Sequence, residues 1–378
     1  MQQHDIMKIS EMIGAYYHAV TPKVHAVGTR EFGFGSPEKK IETRHMWFKT
    51  DSELANALRK ARPFYVSYSA AHYELPAARP MVKKNWLGAD LIFDLDAPAH
   101  DCGKFTCDSC LEKIRHQTET LANEFLIDDF GIPKNMISVN FSGNRGYHIH
   151  ARDQRFFDLN REARREIADY ITGTGIRYED FFYLEEAMKN KRLVKTFRGP
   201  SPKAGGYHGK IGRELEKALA DGKFRGTLNR KLKDAAVFAS FMAGVDDGDY
   251  DRIKIADREE KFKAIFNDFA KKLPREIDVN VTCDVSKLIR LPDSIHGGSG
   301  FAARSFQLEK IAGYMPRRDA AAFGNEPVEI SVTEAVPELD FGDYKIGPYA
   351  PGAAQKIPKT AAAYLVLKGS ATFHGSKG

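Results

Sequence analysis

The sequence predicts an α/β fold of the mixed, α+β type, with sheets flanked by helices and a mostly helical insertion. Short apolar or alternating runs bounded by Gly, Pro or Asn are typical of strands, and they occur at 65–69, 91–96, 137–142 and 147–151. Between the second and third runs, residues 111–130 carry apolar side chains at helical spacing and are followed by Gly131, which predicts an amphipathic helix.

The chain beyond Arg155 changes from strand to helix character. Helix-forming stretches occupy 161–171, 229–242 and 257–273, and strand patterns return at 276–282 and 288–291. We therefore predict one domain made of 1–155 and 275–347, interrupted by a mostly helical insertion at 156–274. The tail, 348–378, is rich in Pro, Gly and Ala and is predicted to be flexible.

Composition and charge narrow the class of protein. The 378 residues are 42% hydrophobic and carry a net charge of +6, and no run approaches the ~18 apolar residues of a membrane helix. We expect a cytoplasmic protein without a membrane partner. Lys and Arg concentrate between Lys189 and Lys233, which suits either a nucleic-acid backbone or an ordinary solvated face.

Two acids lie in the apolar run at 91–96. Asp94 and Asp96 are two residues apart, so a strand places both carboxylates on one face, while Phe93 and Leu95 point to the other. Paired carboxylates in such a strand repel each other and lose solvation, and a bound Mg²⁺ or Mn²⁺ ion would compensate. The alternative is a strand end at which both acids reach water.

Two further segments carry groups suited to phosphate. Ser142, Arg145 and His148 lie in a Gly-containing strand–turn–strand that could bind a nucleoside triphosphate, although an ordinary hairpin also fits. Farther along, Asp278 is predicted on a strand, followed by Arg290 and His296 as further cationic contacts. Taken singly, these are also ordinary surface and turn residues.

A cysteine cluster follows the acidic strand. His100, Cys102, Cys107 and Cys110 have the spacing H-x-C-x4-C-x2-C within a loop at 97–111. Three thiolates and an imidazole suit a structural, tetrahedral Zn²⁺. His116 or a carboxylate could replace His100 as the fourth ligand, and reduced thiols without metal remain the alternative.

These motifs together resemble the small catalytic subunit of archaeal and eukaryotic-type DNA primases. GADLIFDLD, the cysteine cluster, FSGNRGYHIH and the LIRLPDSIHG segment occur in that family's order, and the likeness extends to about residue 330. It implies the primase catalytic fold, including a zinc knuckle at the cysteine cluster. It also implies that Asp94, Asp96 and Asp278 bind the catalytic Mg²⁺ or Mn²⁺ ions, with Asp284 as the competing third acid.

The resemblance also implies which residues contact the nucleoside triphosphate: Ser142, Arg145, His148, Arg290 and His296. The implied activity is two-metal nucleotidyl transfer that makes primers on single-stranded DNA, in a heterodimer with a primase large subunit. A related polymerase of repair or plasmid replication and a non-catalytic nucleic-acid-binding subunit are the alternatives. Asn144 and Gly298 stand where the family usually has Arg and Lys, which predicts weaker triphosphate binding.

Overall fold

A computed structural model describes residues 1–98, 104–189 and 191–374 and confirms the mixed α+β fold. The helices are α1 (Gln3–Ala19), α2 (Asp51–Ala61), α3 (Asp108–Thr120), α4 (Arg161–Thr172), α5 (Gly206–Ala220), α6 (Gly222–Leu228), α7 (Ala235–Asp246), α8 (Arg258–Ala270), α9 (Val279–Cys283), α10 (Pro316–Asp319) and α11 (Lys359–Leu367). A π-helical segment, Leu121–Ile127, continues α3.

The strands are β1 (Phe32–Gly35), β2 (Thr43–Met46), β3 (Tyr65–Ser69), β4 (Ala71–Tyr73), β5 (Trp86–Ala89), β6 (Leu91–Asp96), β7 (Ile137–Phe141), β8 (Gly146–Ala151), β9 (Tyr183–Lys189), β10 (Arg192–Arg198), β11 (Leu288–Arg290), β12 (Ser305–Gln307), β13 (Pro327–Val332), β14 (Leu339–Asp340), β15 (Lys345–Ile346), β16 (Ala354–Pro358) and β17 (Ala371–Phe373).

The chain forms two compact units. The first consists of 1–168 and 276–378, and the second of 169–275. In the second unit, α5 to α8 accompany an antiparallel hairpin of β9 and β10, which the expectation of helical structure did not include. The first unit contains the acidic strand, the glycine-containing turn between β7 and β8, and the glycine-containing loop at 296–300.

Two antiparallel four-stranded sheets organise the first unit. Their strand orders are β11-β3-β1-β2 and β12-β7-β8-β6. The alternation along β6 buries Phe93 and Leu95 completely and leaves Asp94 and Asp96 on the other face. The amphipathic helix α3 packs on β6 and β8 and buries Leu111 and Ile114, so the acidic strand has a rigid support.

The C-terminal segment corrects the prediction of a flexible tail. Strands β16 and β17 pair with the two sides of β13, and α11 lies between them in sequence. Every residue from Thr360 to Val366 is buried. The small Ala side chains of this segment allow close helix packing, so the prediction of a flexible tail is wrong for 354–374.

The predicted strand at 276–282 is also wrong. Ile277 makes one antiparallel bridge with Leu95, and the chain then turns into α9. The cause is local, because Asp278 is the N-cap of α9 and its carboxylate accepts a hydrogen bond from the Asn280 amide at 2.9 Å. The capping interaction overrides the alternating pattern.

Candidate active site

The acidic pair lies at the edge strand of the β12-β7-β8-β6 sheet. In the antiparallel register of β6 and β8, Asp94 is opposite His148 and Asp96 is opposite Gly146. The Asp94 Oδ1 atom lies 3.3 Å from Nε2 of His148. The histidine side chain is only 6% exposed, so the sheet itself holds the imidazole against the carboxylate.

The two carboxyl groups differ in their pKa values. Burial and the adjacent Asp94 charge raise the pKa of Asp96 to about 6, although the Asp96 side chain is 47% exposed. Burial also opposes ionisation of Asp94, but the charge and hydrogen bonding of His148 outweigh it and lower the pKa of Asp94. The pair therefore favours one negative charge on Asp94 and resists the second.

The third acid is positioned by the chain that runs beside β6. The Asp278 amide donates to the Asp94 carbonyl oxygen at 2.8 Å, and the bridge between Leu95 and Ile277 makes Asp278 the cross-strand neighbour of Asp94. Such neighbours project from the same face with Cβ atoms about 5 Å apart. Asp284 accepts hydrogen bonds from the amide and hydroxyl of Ser286, much as Asp278 accepts one from the Asn280 amide. The bridge beside β6, rather than these local bonds, favours Asp278.

The turn between β7 and β8 depends on two glycines. Gly143 has a φ of +84°, and a Cβ there would lie 2.7 Å from the His296 Cβ. A Cβ on Gly146 would lie 2.1 Å from Asp96 Oδ1, so a side chain at either position would displace the site. The Ser142 hydroxyl accepts a hydrogen bond from the Gly146 amide at 3.2 Å and closes the turn.

Arg145 and His148 present polar nitrogens to this region. The Arg145 Nε atom lies 3.9 Å from Asp96 Oδ2. Within the described residues, neither Arg145 Nε nor His148 Nδ1 has a hydrogen-bond partner, although both atoms are buried. Buried nitrogens of this kind ordinarily find a partner, which is consistent with a bound anion.

Arg290 is the last residue of β11, and His296 lies in the loop that follows this strand. The Arg290 guanidinium lies 4.9 Å from the centre of the Tyr65 ring, and burial lowers its pKa to about 10, so it remains charged at neutral pH. Burial, reinforced by the charge of Arg290, depresses the pKa of His296 well below its usual value. This shift favours the neutral imidazole over the expected cationic one, and the contact of His296 with the triphosphate stays a prediction.

These side chains line one cleft of about 200 Å³ in the first unit. Seven of the predicted residues line it together: Asp94, Asp96, Ser142, Arg145, His148, Arg290 and His296. Asp278 lies beside the cleft without lining it. The sequence-based prediction missed Lys40 and Ser67, which also line the cleft, because no motif marks either residue.

The cysteine cluster is only partly described. His100 and Cys102 lie outside the described residues. The Sγ atoms of Cys107 and Cys110 lie 2.8 Å apart at the start of α3, which is longer than a disulfide bond of about 2.05 Å. His116, the alternative ligand, has its two ring nitrogens 3.0 and 3.3 Å from Glu112 and Glu119, so those carboxylates hold its ring.

A second group of potential metal ligands lies elsewhere in the first unit. Ligand atoms of His25, His72 and Asp90 lie within 4.8 Å of one another. The Asp90 carboxylate, however, already contacts the guanidinium groups of Arg30 and Arg152 at 2.7 and 3.2 Å. Because two cations already neutralise this carboxylate, we interpret the group as a structural ion-pair network.

Comparison with known proteins supports the resemblance. A family model described as DNA primase small subunit matches residues 93–308. The chain is 35% identical to the DNA primase small subunit PriS of Methanothrix thermoacetophila, over 80% of this chain and 82% of that protein. It is 32% identical to PriS of Methanocella arvoryzae, over 91% and 92%, and 31% identical to PriS of Thermoplasma acidophilum, over 92% and 94%.

Proposed function

The chain belongs to the DNA primase small subunit family, and we propose that it is the catalytic subunit, a nucleotidyltransferase that makes short RNA or DNA primers on single-stranded DNA. The observation that carries this proposal is the cleft in which an acidic pair faces cationic side chains. Nucleotidyl transfer needs both, since carboxylates bind the metal ions and cations neutralise the triphosphate.

The acidic residues fit hard divalent cations. The Asp94 Oδ1 atom is buried and, apart from His148 Nε2 at 3.3 Å, has no hydrogen-bond partner within the described residues, and carboxylate oxygens suit Mg²⁺ or Mn²⁺. Asp94, Asp96 and Asp278 would hold the ions. When bound, they would lower the pKa of the attacking 3′-hydroxyl and neutralise charge on the transferred phosphoryl group and on the departing pyrophosphate.

The other side chains of the cleft bind and orient the nucleotide. Arg145 and Arg290 supply guanidinium donors whose fork geometry suits phosphate oxygens. His148 keeps the Asp94 carboxylate in one orientation and ionised. The neutral His296 offers a hydrogen bond from its ring, and a neighbouring triphosphate would raise its pKa by opposing the charge of Arg290.

We propose that the loop at 97–111 holds a structural Zn²⁺. Cys107 and Cys110 bring two thiols together at a helix start, where the helix dipole favours thiolates. His100 and Cys102 would complete the tetrahedral site. A site closed by four protein ligands would stabilise this loop rather than take part in the chemistry.

The proposed partners are a primase large subunit, a single-stranded DNA template and nucleoside triphosphates. Primer initiation holds two nucleotides without an existing primer, and a large subunit would assist that step. Within the described residues, none of the helices is long and apolar enough to span a membrane. A cytoplasmic location associated with the nucleoid stays a prediction.

The test is incorporation of labelled nucleotide on an unprimed single-stranded template, with Mg²⁺ or Mn²⁺ and with or without a candidate large subunit. The Asp94→Ala variant should lose incorporation while its melting temperature shows that it is folded. Asp343→Ala, at an exposed position, serves as the matched control and should keep its activity. Incorporation by the Asp94→Ala variant at the wild-type rate would refute the proposed active site.

A further inference from the structure

The C-terminal helix brings an additional cation to the turn between β7 and β8. Lys368 is the C-cap residue of α11, and its Nζ donates to Oδ1 of Asn144 at 2.9 Å. Asn144 lines the cleft beside Arg145. Lys368 lies beyond residue 308, where the match to the family model ends.

The position of this ammonium group is well defined by its surroundings. The helix that precedes Lys368 is buried from Thr360 to Val366, and Nζ lies 5.4 Å from the centre of the Tyr364 ring. The loop at 296–300 is tied to the same turn, since the Ser299 hydroxyl donates to the Gly143 carbonyl oxygen. Two loops and the end of one helix therefore meet at the cleft.

The charge of this lysine is not compensated within the described residues. No carboxylate of the described residues lies within 4 Å of its Nζ. By contrast, two other lysines of the C-terminal region, Lys345 and Lys359, form ion pairs, and Lys356 is exposed to solvent. Burial and the charges of Arg145 and Arg317 lower the pKa of Lys368 to about 8. A partly buried cation that is repelled by its neighbours is stabilised by a bound anion.

The ammonium has the donors that such an anion needs. Of its three N–H groups, one is used by Asn144, and no other hydrogen-bond acceptor contacts it among the described residues. Its charge also contributes to the depressed pKa of the cleft residue His296. The remaining donors are thus electrostatically coupled to the cleft in which the triphosphate is expected.

We propose that Lys368 is a triphosphate-binding residue, whose ammonium group, held by the Asn144 side chain, donates to a phosphate oxygen of the incoming nucleotide. This inference rests on the proposed function of the cleft. It assigns a role at the active site to the C-terminal segment, and it makes Asn144 a positioning residue that acts through the lysine.

The direct test compares wild-type protein with Lys368→Met in steady-state incorporation. Loss of one charge-assisted hydrogen bond should raise KM for the nucleoside triphosphate about tenfold, while kcat changes much less. Lys368→Arg keeps the charge and should restore most of the affinity. Lys356→Met removes an exposed lysine of strand β16 and should leave KM unchanged.

A binding measurement separates this inference from the proposed function. Calorimetry with ATP and with adenosine should show about tenfold weaker ATP binding by Lys368→Met and the same adenosine binding. If wild-type protein incorporates no nucleotide, the proposed function fails, yet the ATP comparison still tests the lysine. Equal ATP affinity of wild type and Lys368→Met, at equal melting temperature, would overturn the inference.

A double-mutant cycle tests the role of the amide. Asn144→Ala should weaken ATP binding several-fold in the wild-type background, because the ammonium loses its fixed position. In the Lys368→Met background the same substitution should add little, so the two positions should be energetically coupled. Purely additive effects would contradict the proposal that Asn144 acts through Lys368.

Discussion

Substitution of Asp96 by Asn should stabilise the metal-free protein while it abolishes nucleotide incorporation. The folded state holds the Asp96 carboxylate beside that of Asp94, and its pKa of about 6 lies above the value of 3.8 expected in the unfolded chain. Ionisation of Asp96 at neutral pH therefore costs folding free energy. An amide of nearly the same shape avoids this cost.

The magnitude follows from the shift in pKa. Raising a carboxyl pKa from 3.8 to about 6 corresponds to at most roughly 3 kcal/mol at neutral pH. Because the Asp96 side chain is 47% exposed, solvent screening reduces this, and we expect about 1 kcal/mol. In a chain of this length that is an increase in melting temperature of roughly 1–3 °C.

The pH dependence has a definite sign. A carboxyl group with a raised folded-state pKa binds more protons when folded, so wild-type stability falls as pH rises from about 4 through 6. The greater folding stability of Asp96→Asn relative to wild type should be absent near pH 4 and fully present above about pH 7. The assay is thermal unfolding in EDTA across this range, with Asp343→Asn as the exposed control.

Divalent ions should make the wild-type protein more stable than the Asp96→Asn variant. Mn²⁺ should bind the folded wild-type protein and raise its melting temperature, whereas the Asp96→Asn variant would lack one proposed ligand and should gain less. If this variant is less stable than wild type in EDTA at about pH 7.5, the argument from charge repulsion is refuted. Equal stabilisation of both proteins by Mn²⁺ would refute the assignment of Asp96 as a ligand.

Three further outcomes follow from the structure. Asp90→Ala should lower the free energy of unfolding by about 3–5 kcal/mol in denaturant titrations, because it leaves the fully buried Arg30 guanidinium without its carboxylate partner; a loss below about 1 kcal/mol would contradict the network. Zinc analysis should find stoichiometric Zn²⁺ in wild type and a strongly reduced content in Cys107→Ser, and wild type without zinc would contradict the proposed knuckle. Leu365→Ala should destabilise the protein by about 2–5 kcal/mol, since the side chain is fully buried, whereas a loosely held tail would show no effect.

The proposed role of Lys368 bears on the prediction of weak triphosphate binding. That prediction follows from Asn144 and Gly298 standing where the family usually has cations. The ammonium of Lys368 contacts Asn144 directly, so a charge lost from the turn is present on a different segment. The affinity of the Lys368→Met variant, rather than that of wild type, should show the weakness.

Elements with strong local patterns could be predicted from the sequence. The strand at 65–69 and the acidic strand at 91–96 have the predicted bounds, because the alternation of side chains is a local property of the backbone. The predicted strand at 276–282 is wrong because Asp278 caps the helix α9 there, although the side chains alternate as in a strand. The composition of the tail gave a wrong prediction for 354–374, since small residues suit both flexible segments and tightly packed helices.

The sequence by itself determined that Asp94 and Asp96 share one face, and that a glycine-containing turn carries Arg145 and His148 nearby. Only the tertiary structure decided that Asp278 lies opposite Asp94, that burial and Arg290 depress the pKa of His296, and that Lys368 reaches the turn. The physical reason is that strand pairing, desolvation and charge repulsion depend on groups brought together from far along the chain, and no local pattern records them.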